Sequence, residues 1–244
     1  MTDNANEILS LLDPDHVAFP DTATALRDPD GLLAVGGDLT PEWLLAAYRR
    51  GIFPWFSDDQ PILWWSPSPR CIVRPESTRF GRSLRKVIRQ ERFRVTFDRA
   101  FAEVLDGCAA PRALESGTWI TSEIREAYLE MHRLGHAHSV EAWQDDLLVG
   151  GLYGIAIGRV FFGESMFHRA TDASKVAFAH LVRQLDEWGC RLIDCQVNNP
   201  HLQSLGAVEV PRRDFETLLA REIEAEGFPS PWPPAPSEAL FVQP

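Results

Sequence analysis

The chain has 244 residues, enough for one large domain or two small ones at roughly 100–200 residues per domain. A composition of 45% hydrophobic and 24% charged residues excludes disorder, collagen and coiled coil. A net charge of −11 with a pI near 5.1 excludes a protein that coats nucleic acid with its whole surface, and leaves room for a local basic patch.

The apolar, uncharged stretch Leu147 to Gly158 falls short of the roughly 18 residues that a membrane span needs, so no membrane partner is expected. Arg27 is the first cationic side chain, after Asp3, Glu7, Asp13 and Asp15. A secretory leader with a basic start is therefore not expected, and the reading is a cytoplasmic protein. Cys71, Cys108, Cys190 and Cys195 have neither the density nor the spacing of a disulfide framework, and read as reduced core residues.

In chain order, residues 1–70 read as a small, loop-rich N-terminal domain. Its one clear helix has Thr40 as N-cap, Pro41 at the first turn and Gly51 as the stop. From Arg74 to Arg94 eight cations face only two acids, Glu76 and Glu91. Within that run, at 82–92, Leu84, Val87 and Ile88 mark one helical face, and Arg82, Arg85, Lys86 and Arg89 another. A strand at 93–97, a helix at 98–108 and a helix at 122–134 come next.

Three strands, 137–143, 147–157 and 159–167, then read as an antiparallel meander. A helix at 173–188, a strand at 191–196, a short helix near His201 and a last helix at 213–226 complete residues 71–227. The class is α+β with a mostly antiparallel central sheet. Residues 228–244 hold six of the 18 prolines, which suits neither helix nor central strand, and read as a tail over the surface.

Four segments could carry chemistry. Gly51 to Ser66 packs Trp55, Trp64, Trp65, Phe53 and Phe56 into sixteen residues without helical or strand period, either as a hydrophobic plug or as a platform on which nucleobases stack. The basic helix is either a solvated face or a phosphate-binding one, and its single sign within an acidic chain favours phosphate.

Glu164, in Gly163-Glu-Ser-Met-Phe167, stands among apolar strand positions. It calls for either a structural salt bridge or a cationic group to recognise. Simple alternation would put Glu164 and Met166 on one face, with Gly163, Ser165 and Phe167 on the other. Asp194 and Gln196 end the strand at 191–196 on a shared face, where they either cap the strand or line a site.

His132, His136, His138 and Glu141 straddle a helix end and a strand, so no metal site is expected. Gly150-Gly-Leu-Tyr-Gly154 lies in an antiparallel setting and reads as close backbone packing, not a dinucleotide loop.

Together, Gly31-Leu-Leu-Ala-Val-Gly-Gly-Asp38, Gly51-Ile-Phe-Pro-Trp55, Pro61-Ile-Leu-Trp-Trp-Ser66, Gly117-Thr-Trp-Ile120, Gly163-Glu-Ser-Met-Phe167, Ala173-Ser-Lys175, Asp194-Cys-Gln196 and Ser204-Leu-Gly-Ala207 closely resemble the leucyl/phenylalanyl-tRNA protein transferases, from about His16 to Phe215. The resemblance implies a bacterial enzyme that moves Leu or Phe, and less readily Met, from aminoacyl-tRNA to proteins with N-terminal Arg or Lys, marking them for degradation by the N-degron pathway. It also implies a catalytic domain like that of the acyl-CoA N-acyltransferases (the GNAT fold).

By the same resemblance Trp55 and Trp119 hold the terminal adenosine of the tRNA. Met166, Leu152, Leu181 and Leu185 form the pocket for the donor side chain. Asp194 polarises Gln196, which holds the attacking amine. His168 stands where many members are expected to have Ser. The turn from Phe167 to Ala173 has no glycine, whereas the fold's usual coenzyme A site is a Gly-rich turn at a helix N-terminus. Neither coenzyme A nor any other cofactor or metal is therefore expected. Two rivals stand beside this reading: a related Leu transferase acting on acidic N-termini, and a non-enzymatic tRNA-binding module.

Overall fold

The computed structural model describes residues 9–110 and 118–236. Gly117, at the head of the Gly117–Ile120 motif, and the last eight positions of the Pro-rich segment lie outside the described residues.

The first 70 residues hold more strand than their composition suggests. Strands β1 (Ser10–Leu12), β2 (Leu32–Gly36), β3 (Phe53–Pro54) and β4 (Leu63–Trp65) form a sheet in the order β1-β2-β4-β3 around helix α1 (Pro41–Tyr48). The aromatic segment is thus paired backbone: Phe53 and Pro54 face Trp65 and Trp64 across a ladder. Strands of two and three residues are too short to display alternation, so periodicity could not reveal them. Gly51 ends α1 with φ +71°, and a Cβ there would stand 2.5 Å from the Phe215 ring. Both the turn and the approach of the C-terminal helix exclude a side chain.

The remainder of the chain supplies β5 (Arg70–Val73), α2 (Arg82–Arg89), β6 (Arg94–Phe97), α3 (Phe101–Ala109), α4 (Ser122–Arg133), β7 (Ala137–Gln144), β8 (Leu147–Ile157), β9 (Val160–His168), α5 (Ala173–Glu187), β10 (Leu192–Gln196), α6 (Pro200–Ser204), β11 (Val208–Val210) and α7 (Arg212–Glu222). The seven strands run in the order β11-β5-β10-β9-β8-β7-β6.

Both sheets are mixed, where a mostly antiparallel one was expected: β1 and β2 are parallel in the small sheet, and β9 and β10 are parallel near the middle of the large one. The crossover through α5 is the physical reason, since it returns the chain to the end of the sheet from which β9 started. Side chains on one face of the large sheet, such as Ile72, Tyr153, Phe162 and Leu192, join an apolar cluster with α1, α3, α4 and α7. Those on the other face, such as Val73, Leu152, Phe161 and Ile193, pack against α2 and α5.

At Gly150 a Cβ would lie 2.6 Å from the Cβ of Ala173 on the packed helix, and at Gly151 and Gly154 it would meet the carbonyls of Val140 and Phe162 in the neighbouring strands at 2.7 Å or less, so the glycines of β8 serve close backbone packing. The Pro-rich segment does more than lie over the surface. Trp232 is buried, stacked on the His138 ring at 4.0 Å and edge-on to Phe97 at 5.7 Å. Phe97 N donates to Pro234 O. An indole offers enough apolar area to pin such a segment without regular structure. Among the described residues no helix is long and apolar enough to cross a membrane.

Candidate active site

The parallel register of β9 and β10 ends at the pair Phe162 and Asp194. Beyond it, β9 continues along β8 and β10 along β5. Both strands carry an irregularity at this point.

In β9, Gly163 pairs with Gly154 and Ser165 with Tyr153, so Glu164 is the extra residue of a bulge. In β10, Asp194 pairs with Ile72 and Gln196 with Cys71, so Cys195 is extra. Such insertions re-aim the side chains that follow. The alternation expected for Gly163–Phe167 is corrected accordingly: Glu164 meets Tyr48 and Tyr128 of the first cluster, whereas Met166 packs against the second.

Three neutral donors hold the Glu164 carboxyl. Gln196 Nε2 donates to Oε1 at 3.0 Å, and Tyr48 Oη lies 2.7 Å from Oε1 and Tyr128 Oη 2.9 Å from Oε2, the two tyrosine protons being shared among these contacts and the one between the tyrosine oxygens. Neither a salt bridge nor a cation reaches Glu164 among the described residues. Burial, the largest cause, raises its pKa to about 7, aided by the charge of Asp194 and opposed by the tyrosine and Gln196 hydrogen bonds. Burial and the nearby Glu164 charge raise both tyrosines well above the ordinary value, which keeps them protonated donors. The third tyrosine of the chain, Tyr153, lies edge-on to Tyr128 at 5.5 Å, so all three gather around this carboxyl.

Asp194 is buried and forked by Arg70: Nε donates to Oδ1 at 2.8 Å and Nη2 to Oδ2 at 2.6 Å. The guanidinium itself lies between the rings of Phe53 and Phe215, at 4.9 and 4.6 Å. Asp194 Oδ1 also accepts from the backbone N of Gln196 at 2.8 Å. That bond holds Gln196 at φ +61°, a left-handed conformation that a non-glycine residue adopts only under such constraint. Asp194 therefore grips the backbone of Gln196, and Glu164 grips its amide.

The apolar residues expected around the donor side chain do come together. Leu152, Leu181 and Leu185 are buried in one cluster, and half-buried Met166 packs against it with its sulfur 3.3 Å from His201 Nε2. Trp55 is 48% exposed and lies 5.6 Å from the Trp65 ring. Trp119 is half-buried at the edge of the other cluster. On α2, Leu84 and Ile88 are buried while Arg82, Arg85, Lys86 and Arg89 are exposed. Exposed His168 ends β9.

Of the histidines considered for a metal, His132 Nδ1 contacts Ala137 O and His138 Nδ1 contacts Asp98 Oδ2. Among the described residues no group of three or more His, Cys, Asp or Glu could hold a metal ion.

Sequence reasoning missed Arg70, Tyr48 and Tyr128. Arg70 carried a signal, a cation heading the apolar run Cys71-Ile-Val73, which demands a buried carboxylate partner. The tyrosines carried none, since a hydroxyl on a buried helical face looks like any aromatic core position.

The family model described as leucyl/phenylalanyl-tRNA protein transferase matches residues 72–220, and that of its N-terminal domain matches 37–68. The chain belongs to this family. Its relatives of that name include one from Azoarcus sp. (strain BH72), 61% identical over 89% of this chain and 93% of the other, and one from Methylococcus capsulatus, 53% identical over 96% and 100%. A weaker likeness is to the structure of L-PGS from Bacillus licheniformis, with a TM-score of 0.36 and 15% identity over 66% of this chain and 52% of the other. As a leucyl/phenylalanyl-tRNA protein transferase the chain is an enzyme, an aminoacyltransferase, which removes the non-enzymatic rival.

Proposed function

We infer that the enzyme transfers Leu, Phe and, less readily, Met from aminoacyl-tRNA to the α-amine of proteins beginning with Arg or Lys, in the cytoplasm, and so marks them for N-degron degradation. The observation that carries this reading is the bridge from Gln196 Nε2 to Glu164 Oε1, at the point where the pairing of β9 and β10 ends. An ionised carboxylate only accepts hydrogen bonds, so it fixes the amide with Nε2 inward and leaves Oε1 to accept from an amine.

The donor is already an activated ester, so the enzyme's task is to orient the amine and let it lose one proton as it attacks the carbonyl carbon. The ribose oxygen leaves and gains a proton. Gln196 positions the amine, Arg70 and Asp194 hold the Gln196 backbone, and Glu164 holds its side chain and offers negative charge to a cationic acceptor. This differs from an Asp194 that polarises the amide directly, because the Asp194 bond goes to Gln196 N.

The remaining assignments complete the reading. Trp55 and Trp119 take the terminal adenosine, and Arg82, Arg85, Lys86 and Arg89 take tRNA phosphates. Residues 1–70, 71–227 and 228–244 serve as N-terminal domain, GNAT-like catalytic domain and tail, and no cofactor enters.

The test is to incubate the purified protein with labelled Phe-tRNA and peptides whose N-terminal residue is Arg, Lys, Asp or Glu. Transfer to Arg and Lys peptides is expected. Transfer to the acidic peptides alone would replace this reading with the acidic-N-terminus rival.

A further inference from the structure

Two of the four cysteines meet at the bulge that shapes the site. Cys71 lies on β5 and Cys195 is the extra residue of β10, so Cys195 and Gln196 together oppose Cys71. Both thiols turn to the same face of the sheet: Cys71 is buried in the second cluster and Cys195, half-buried, packs against it.

Neighbours across an antiparallel ladder have Cα atoms about 4.5–5.5 Å apart, within the roughly 4.4–6.8 Å that a disulfide spans. The two thiols act on each other, each the largest cause of the other's shift, which lowers Cys71 and raises Cys195, while Cys71 Sγ donates to Asn198 Oδ1 at 3.9 Å. Cys190 offers a contrast, since burial pushes its thiol up to about 12 and it donates to Leu192 O.

We propose that Cys71 and Cys195 form a reversible disulfide under peroxide, and that this bond shuts the transfer site. The effect on transfer rests on the functional reading above; the bond itself does not. One of the two sulfurs takes a hydroxyl from hydrogen peroxide as the O–O bond breaks, and its proton leaves with the other oxygen as water. The other sulfur then displaces that hydroxyl, which departs with that thiol's proton as a second water. Two thiols lose two electrons, and one peroxide gains them.

The new bond draws Cys195 toward β5. Its chain neighbours are Asp194 and Gln196, so the pull falls on the backbone bond that sets the amide. A thiol reductant returns the bond to two thiols.

The test treats the reduced full-length protein with hydrogen peroxide, blocks remaining thiols by alkylation, and maps the unreduced digest by mass spectrometry. The expected result is a peptide pair joining Cys71 to Cys195, with Cys108 and Cys190 alkylated after unfolding. Transfer should fall at least about tenfold, as misplacement of a catalytic group does, and return with dithiothreitol. Cys195→Ser should form no cross-link and keep its transfer under peroxide, and Cys71→Ala provides the same control from the other strand.

Absence of the cross-link, or Cys195 carried to sulfinic acid with Cys71 still free, overturns the proposal. A cross-link that leaves transfer unchanged overturns its effect on the site. Reduced protein that never transfers while the cross-link forms faults the functional reading and leaves the disulfide standing.

Discussion

Two carboxyl groups on one sheet, Glu141 of β7 and Glu164 of β9, meet opposite fates. Glu141 is fully buried and closed in by Thr96 Oγ1 and Ser139 Oγ, each at 2.5 Å, and by the backbone N–H groups of Arg99 and Ala100 at 3.3 and 3.4 Å. Burial raises its pKa against those hydrogen bonds. Every donor that holds it comes from its own strand or from the β6 edge and the turn after it.

Glu164, by contrast, sits where the ladder between β9 and β10 ends, is held by donors from three distant elements, and passes its orientation to Gln196. Burial alone does not make a carboxyl functional. On the proposed reading, what separates the two is that Glu164 alone has a partner, Gln196, that faces the acceptor amine.

The largest expected effect tests the support beneath Gln196. Asp194→Asn leaves the Arg70 guanidinium buried against Phe53 and Phe215 without its counter-charge. Breaking a buried pair in this way costs about 3–5 kcal/mol, and denaturant titration should show it. Next come the two partners of the comparison themselves. Glu141→Ala strands four donors and should cost on the order of 3 kcal/mol of stability, with transfer by the folded fraction unchanged. Gln196→Ala should do the reverse, lowering transfer about 100-fold through lost orientation while stability and tRNA affinity hold. If Glu141→Ala removed transfer from folded protein, the contrast would collapse.

A smaller effect separates the two carboxyls by pH. The folded pKa of Glu164 is about 7 against an ordinary 4.5, so the native state binds the proton more tightly than the unfolded chain. The stability this confers is complete below about pH 4 and is lost as pH rises through 7, a change on the order of 3 kcal/mol at one well-enclosed site. Wild type should therefore lose stability relative to Glu164→Gln between pH 5 and 8. Over the same range, wild-type transfer should gain a component with a midpoint near 7, because only the ionised carboxylate fixes the Gln196 amide. The ratio of wild-type to Glu164→Gln rates removes the titration of the peptide amine, and a flat ratio would refute the orienting role.

How much of this was legible in sequence follows from what each signal depends on. The helices from α2 onward and the three strands β7 to β9 carry long periods, and the chain displays them. The short strands β3, β5 and β11 went unread because period needs length, although β6, also of four residues, was read at 93–97. Asp194, Gln196 and Glu164 stood out because polar residues in apolar strands need partners. Their partners did not, since Arg70 and Tyr48 lie 124 and 116 residues away in sequence. The bulges at Glu164 and Cys195 erased the alternation from which facing was inferred, and only pairing with a neighbouring strand reveals such an insertion.

The smallest effect concerns charges that neither carboxyl touches. Arg82, Lys86 and Arg89 project from α2, held to the second cluster by Leu84 and Ile88, so neutralising them should leave the fold and the Glu164–Gln196 bridge intact. On full tRNA each lost phosphate contact should flatten the slope of log affinity against log salt by about 0.7–0.9. Transfer from a minimal aminoacyl-nucleotide, which has no acceptor stem to hold, should survive. The two donors would thus separate the surface proposed to capture RNA by charge from the strand opening proposed to orient an amine. A triple variant with the wild-type salt slope on full tRNA would return α2 to an ordinary solvated face, and equal loss on both donors would show that the helix supports the site and not the RNA.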